Sequence, residues 1–180
     1  MIAMDDRIAS RQLTFDGKVA KGYQVGLRMA DGNVVTRDFF HYDRAAVILP
    51  ILDDGSIVMI RNYRFAVDEQ LLELPAGMLD DGEDPVAAAG RELAEETGYT
   101  PGRIESLGYF YTSPGTSDAQ IEAFLATELT PGRQDLEPYE EIAIEVMSEQ
   151  QVRRAIIDGT IHDAKTVSAM ALYWLRHKKV

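Results

Sequence analysis

Apolar and polar residues alternate with a period of two along most of this chain and shift to a period near 3.6 in a few stretches only. Residues 11–42 read as short strands interrupted by Asp16-Gly17 and Asp31-Gly32, dipeptides that favour tight hairpin turns. They predict a small antiparallel appendage. Ala45 to Leu52 and Ser56 to Arg61 are apolar runs flanking Asp53-Asp54-Gly55, the pattern of two core strands joined by a short turn. Leu71 to Leu74 reads as a further strand.

Asp84 is placed to cap a helix opening at Pro85, where the missing amide hydrogen costs nothing, and Gly98 to end it in a left-handed position. The helix is expected over residues 85–97, with Val86, Ala89, Gly90, Leu93 and Thr97 on the stripe that packs against the sheet. Strands are expected near 103–109, 119–127 and 141–147. Ser148 and Gln151 have capping-box spacing for a second helix, and a last helix is expected from about Asp163 to Arg176. Strands before, between and after helices predict an α+β protein with a mixed sheet covered on both faces. The division expected is a β appendage over residues 1–42 and a main domain over 43–180. The appendage has too few apolar residues for a core of its own, so packing against a second copy of the chain is expected.

Composition narrows the classes of function. With 46% hydrophobic and 27% charged residues the chain is globular rather than disordered, and no apolar stretch approaches a membrane span. The start, Met1-Ile2-Ala3-Met4-Asp5-Asp6-Arg7, resembles neither a secretory nor a transit signal. The absence of cysteine excludes disulfides, thiolate nucleophiles and zinc ribbons, and fits a reducing cytoplasm. A net charge of -12 without a basic patch argues against nucleic acid and anionic membranes. An acidic protein can still take a polyanionic small molecule when metal ions bridge its carboxylates to phosphates.

The candidate chemistry lies on the first helix. Glu92, Glu95 and Glu96 fall off the packing stripe and crowd together within one turn, where they repel unless a cation sits among them. Such a cluster is ordinarily a solvated acidic face, with Arg91 paired to Glu95. The surrounding spacing changes that reading: Gly77, then Glu83, then Arg91-Glu92-Leu93-Ala94-Glu95-Glu96-Thr97-Gly98. This run resembles the Nudix signature, and the specified positions match by chance on the order of once in 10⁹ starting points. Tyr99 stands where the signature usually has an aliphatic residue. The resemblance implies the Nudix fold, an α/β/α sandwich, and hydrolysis of a diphosphate bond with magnesium, manganese being a possible substitute. By the same resemblance Glu92 and Glu96 are the principal metal ligands, joined by the Ala76 carbonyl and by Glu95. Arg91 orients the carboxylates, and Gly77 lets the backbone turn. Glu83, on the loop before the helix, either joins the cluster or braces the loop.

Flanking segments look like the ADP-ribose pyrophosphatase branch: Arg61-Asn62-Tyr63-Arg64-Phe65, Glu73-Leu74-Pro75-Ala76-Gly77 and Ser113-Pro114-Gly115-Thr116-Ser117-Asp118. Arg64, Glu73, Pro114 and Gly115 are accordingly expected at the substrate. Arg64 could equally be a surface ion-pair residue, and Pro114-Gly115 a plain turn. The implied reaction is ADP-ribose to AMP and ribose 5-phosphate. The general base is expected among Glu137, Glu140 and Glu141, on the connection before the strand at Ile142, with Glu140 first. Alternatives are a GDP-mannose or other nucleotide-sugar pyrophosphatase, or a non-catalytic ADP-ribose-sensing regulator. Phe15, Tyr23, Phe39 and Phe40 are candidates to stack on a base, although aromatic residues in strands are more often core. His41, His162 and His177 have no metal-ligand spacing and take no role. A homodimer is expected, by resemblance to a branch that exchanges its N-terminal strands.

Overall fold

A computed structural model of the chain describes residues 7–138 and 140–177; the expectations for residues 1–6, Tyr139 and residues 178–180 lie outside the described residues. The chain forms two compact units, one of residues up to Asp43 together with Tyr111–Gln120, the other of Arg44–Phe110 and residues from Ile121 onward. In the first unit, β1 (Ile8–Asp16), β2 (Ala20–Arg28) and β3 (Val34–Tyr42) make an antiparallel sheet in that order. All nine residues of β1 are exposed. The turn at Ser113–Asp118 is held to β3: the Phe40 amide donates to Thr116 O at 2.8 Å, and His41 Nδ1 meets Asp118 Oδ2 at 2.6 Å.

In the second unit the apolar runs become β4 (Ala45–Pro50) and β5 (Ile57–Arg64). The turn between them does not close a regular hairpin: they share one bridge, Ile51 to Ile57, and then enter different sheets. β4 lies between β7 (Ala76–Met78), antiparallel to it, and β9 (Gln120–Pro131), parallel to it, with β8 (Tyr99–Tyr111) beyond β9. This is the mixed sheet. β5 pairs with β6 (Glu69–Glu73) and β10 (Ile142–Met147) in a separate antiparallel sheet. β7 is too short for period-two patterning to reveal.

The layering follows from strand periodicity. Val47 and Leu49 of β4, with Ala123 and Leu125 of β9, face a core closed by α2 (Glu149–Ile157) and α3 (Ala164–His177). Ala46 and Ile48, with Phe124 and Ala126, face the opposite core, closed by Ala89 and Leu93 of α1 (Pro85–Thr97). Strands buried on both faces read as unbroken apolar runs, as 45–52 does. α1 has the expected limits: Asp84 accepts from the amides of Val86 and Ala87, and Gly98 ends it at φ 75°. Its packing stripe differs in detail. Val86 is 45% exposed, while Ala88 and Glu96 are buried. Tyr99 is partly buried against the α1 core, so its ring fills the aliphatic place in the signature.

Candidate active site

The acidic helix is organised by one guanidinium. Arg91 donates through Nε and Nη2 to Glu83 at 3.0 and 2.8 Å, and through Nη1 to Glu92 at 2.8 Å and Glu95 at 3.1 Å. It also reaches the Met78 carbonyl at 3.2 Å. The hydrogen bonds it donates to Glu83 foremost raise the Arg91 pKa, and in return Arg91 holds the Glu83 carboxyl down to about 2. Glu83 also accepts the Asp80 amide at 2.9 Å and so braces the loop ahead of the helix.

Glu96 lies one turn beyond Glu92 but belongs to the buried side, 3% exposed, where its Oε2 accepts the Ala76 amide at 2.8 Å. Burial pushes its carboxyl up to about 8; the charges of Glu92 and Glu140 push the same way, and the Ala76 amide and Arg64 oppose them. Burial likewise raises Glu92, against the hydrogen bond from Arg91. Gly77 is needed here for space rather than for a turn. It sits within β7 without a positive φ, and a Cβ at that position would overlap the Glu92 carboxylate.

Of the three candidate bases, Glu140 is near enough for its charge to act on both Glu92 and Glu96. Its Oε2 accepts the Glu137 amide at 2.9 Å, which closes a small loop. Glu141 instead acts on Tyr63, and Glu137 is exposed. Gln134, which carries no sequence signal, anchors this connection: its Nε2 donates to the Glu96 carbonyl at 2.7 Å, beside a bond from the Asp135 amide to Glu95 O at 2.9 Å. The approach is close enough that a side chain on Gly98 would meet the Arg133 backbone.

Arg64 ends β5 with its Nη2 2.5 Å from Glu73 Oε1, and its charge reaches Glu96. Glu73 has no exposed surface. Pro114 and Gly115 belong to the other unit, in the turn where Ser113 O accepts the Thr116 and Ser117 amides. Also in that unit, Arg11 stacks on Tyr23 with 3.7 Å from guanidinium to ring centroid, while Phe15 and Phe40 are exposed.

Among the described residues, no three acidic or histidine side chains converge into a ready cation cage. Arg91 draws Glu92 and Glu95 to itself, and Glu96 is turned toward Ala76. The donor set nevertheless suits a hard divalent ion. It is all oxygen, and the charges of Glu92 and Glu140 press on Glu96, a load that a cation would relieve.

A mixed sheet between helices, with a Glu-rich helix braced by arginine beside β7, is the arrangement of the Nudix hydrolases. Residues 41–170 match the NUDIX domain, and the chain belongs to that family of enzymes. It is 32% identical to an ADP-ribose pyrophosphatase of Bacillus subtilis (strain 168), covering 99% of this chain and 97% of that one. A GDP-mannose pyrophosphatase of Cronobacter sakazakii is 33% identical, covering 97% and 92%. A solved structure described as an ADP compounds hydrolase superposes with a TM-score of 0.85 at 22% identity, over 96% of each chain, and shares the fold. No helix among the described residues is long and apolar enough to cross a membrane.

Proposed function

We propose that this enzyme hydrolyses ADP-ribose to AMP and ribose 5-phosphate, with magnesium as its resident ion and manganese able to replace it. The observation carrying this reading is the buried Glu96, pressed by Glu92 and Glu140 and offset by Arg64: anionic ligands for a cation beside a cationic ligand for phosphate. Glu92, Glu96 and the Ala76 carbonyl would hold the ion, with Glu95 as a further ligand once Arg91 yields it. When bound, the ion supplies neutralising charge and Lewis acidity at the diphosphate. Arg64 grips a phosphate oxygen, since a guanidinium matches phosphate geometry with paired donors. Glu140 takes the proton of the attacking water as a P–O bond of the diphosphate breaks. Pro114 and Gly115 are assigned to the substrate through the resemblance of their segment alone.

The adenosine and ribose assignment rests on the relative named an ADP-ribose pyrophosphatase, which is matched over nearly its whole length. The relative named a GDP-mannose pyrophosphatase supports a second reading, with the same cluster and another base and sugar. A sensing role without catalysis is disfavoured by the intact Glu92, Glu95 and Glu96. We assign a homodimer, since β1 exposes Ile8, Leu13 and Phe15 on a sheet too small to bury them itself. The lack of cysteine suits the cytoplasm.

The test is kcat/KM with magnesium for ADP-ribose, GDP-mannose, NADH and diadenosine polyphosphates, repeated in chelator. ADP-ribose should be the best substrate, and every activity should vanish in chelator and return with magnesium or manganese. A higher kcat/KM for GDP-mannose overturns the substrate, and undiminished activity in chelator overturns the metal.

A further inference from the structure

A chain of alternating charge runs from Arg64 into the protein interior. The Glu73 carboxylate is fully buried; Oε1 faces Arg64, and Oε2 accepts from Lys165 Nζ. Lys165 in turn lies 3.1 Å from Asp163 Oδ2, and its side chain is 13% exposed. Asp163 is fixed by the amide and hydroxyl of Thr166, at 3.0 and 2.6 Å. Thr166 Oγ1 accepts the Leu74 amide at 2.9 Å, which ties the start of α3 to the residue after Glu73.

Two features give this network a direction. The strand register does not itself create the Arg64–Glu73 contact, because Arg64 stands opposite Glu69 and Glu73 opposite Ile60. Moreover, the 2.5 Å approach of Arg64 Nη2 to Oε1 is an ion contact out of line for a hydrogen bond, and among the described residues Oε1 accepts none. Arg64 is thus held by charge while its N–H donors are not committed to Glu73. A buried carboxylate with a single cationic partner would be drawn wholly to it. The second cation prevents this by holding Oε2. We propose that Lys165 is a positioning residue that, through the buried Glu73 carboxylate, sets where the Arg64 guanidinium stands and leaves its donors for a phosphate group.

This rests on the reading of Arg64 as a phosphate ligand, and a double-mutant cycle separates the two. With magnesium, and whichever of ADP-ribose and GDP-mannose the parent cleaves faster, Lys165→Met should raise KM about tenfold while kcat stays within about threefold. Lys165→Arg should restore most of the loss. In an Arg64→Ala background, Lys165→Met should change KM less than about twofold, since the group it positions is gone. Should Lys165→Met fail to fold, the pair Glu73→Gln with Lys165→Met, which removes both buried charges, carries the same expectation. Parental KM in Lys165→Met, or an equal loss in both backgrounds, overturns the proposal while Arg64 keeps its role. Parental KM in Arg64→Ala alone overturns the phosphate reading, and the positioning role with it.

Discussion

Replacing Glu96 with glutamine keeps the shape of the side chain and the oxygen that accepts the Ala76 amide, and removes one charge from a 3% exposed site. In the metal-free protein that charge is costly. Its carboxyl stands at about 8 when folded against an ordinary 4.5, so between these values the folded chain binds more protons than the unfolded one. Stability from this group is therefore fully present below pH 4.5 and is lost as pH rises through about 8. At about 1.4 kcal/mol per pH unit, the loss between pH 5 and pH 9 is on the order of 4 kcal/mol. Urea denaturation in chelator at pH 5, 7 and 9 should show the parent losing stability across that range. Glu96→Gln should lose much less, keep only the smaller slope due to Glu92, and exceed the parent at pH 9. Magnesium should offset most of the parent's deficit. A ligand at a hundred times its Kd stabilises by about 2.7 kcal/mol, and only the parent should gain this. The substitution should also lower kcat by at least ~10²-fold. Equal pH slopes in the two proteins, or equal stabilisation by magnesium, would refute the burial and ligand reasoning together.

Glu140→Gln should lower kcat by about 10²- to 10⁴-fold with little change in KM, whereas Glu137→Gln and Glu141→Gln should remain near the parent. Steady-state kinetics on the three variants decides this, and a large kcat loss at Glu137 or Glu141 instead would move the base. Gly77→Ala should reduce kcat and magnesium affinity by about tenfold or more, because its methyl group displaces the Glu92 carboxylate; magnesium titration of activity is the check. Deleting residues 1–42 should convert a dimer to a monomer in sedimentation velocity and raise KM. A parent that is already monomeric at micromolar concentration would remove the dimer assignment.

Local signals carried the elements whose chemistry is local. Asp84, Pro85 and Gly98 mark the limits of α1 because caps and left-handed ends depend on single residues. The Asp-Gly pairs mark the turns of the first sheet for the same reason, and the spacing from Gly77 to Gly98 identified the family. Which strands pair was not legible. β4 and β5 look like a hairpin in sequence yet part into two sheets, because their edges are taken by other strands, β7 and β9 for β4 and β6 and β10 for β5, some of them far along the chain. Helical periodicity placed Glu96 with Glu92 off the packing stripe. The packing of α1 beside β7, where the Ala76 amide meets its carboxylate, buries Glu96 instead, and that burial gives it its unusual pKa. Gln134 and Lys165 are ordinary polar residues in sequence, 38 and 92 positions from the groups they hold. Contacts over such separations exist only once the chain has closed on itself, so no pattern of neighbours could announce them.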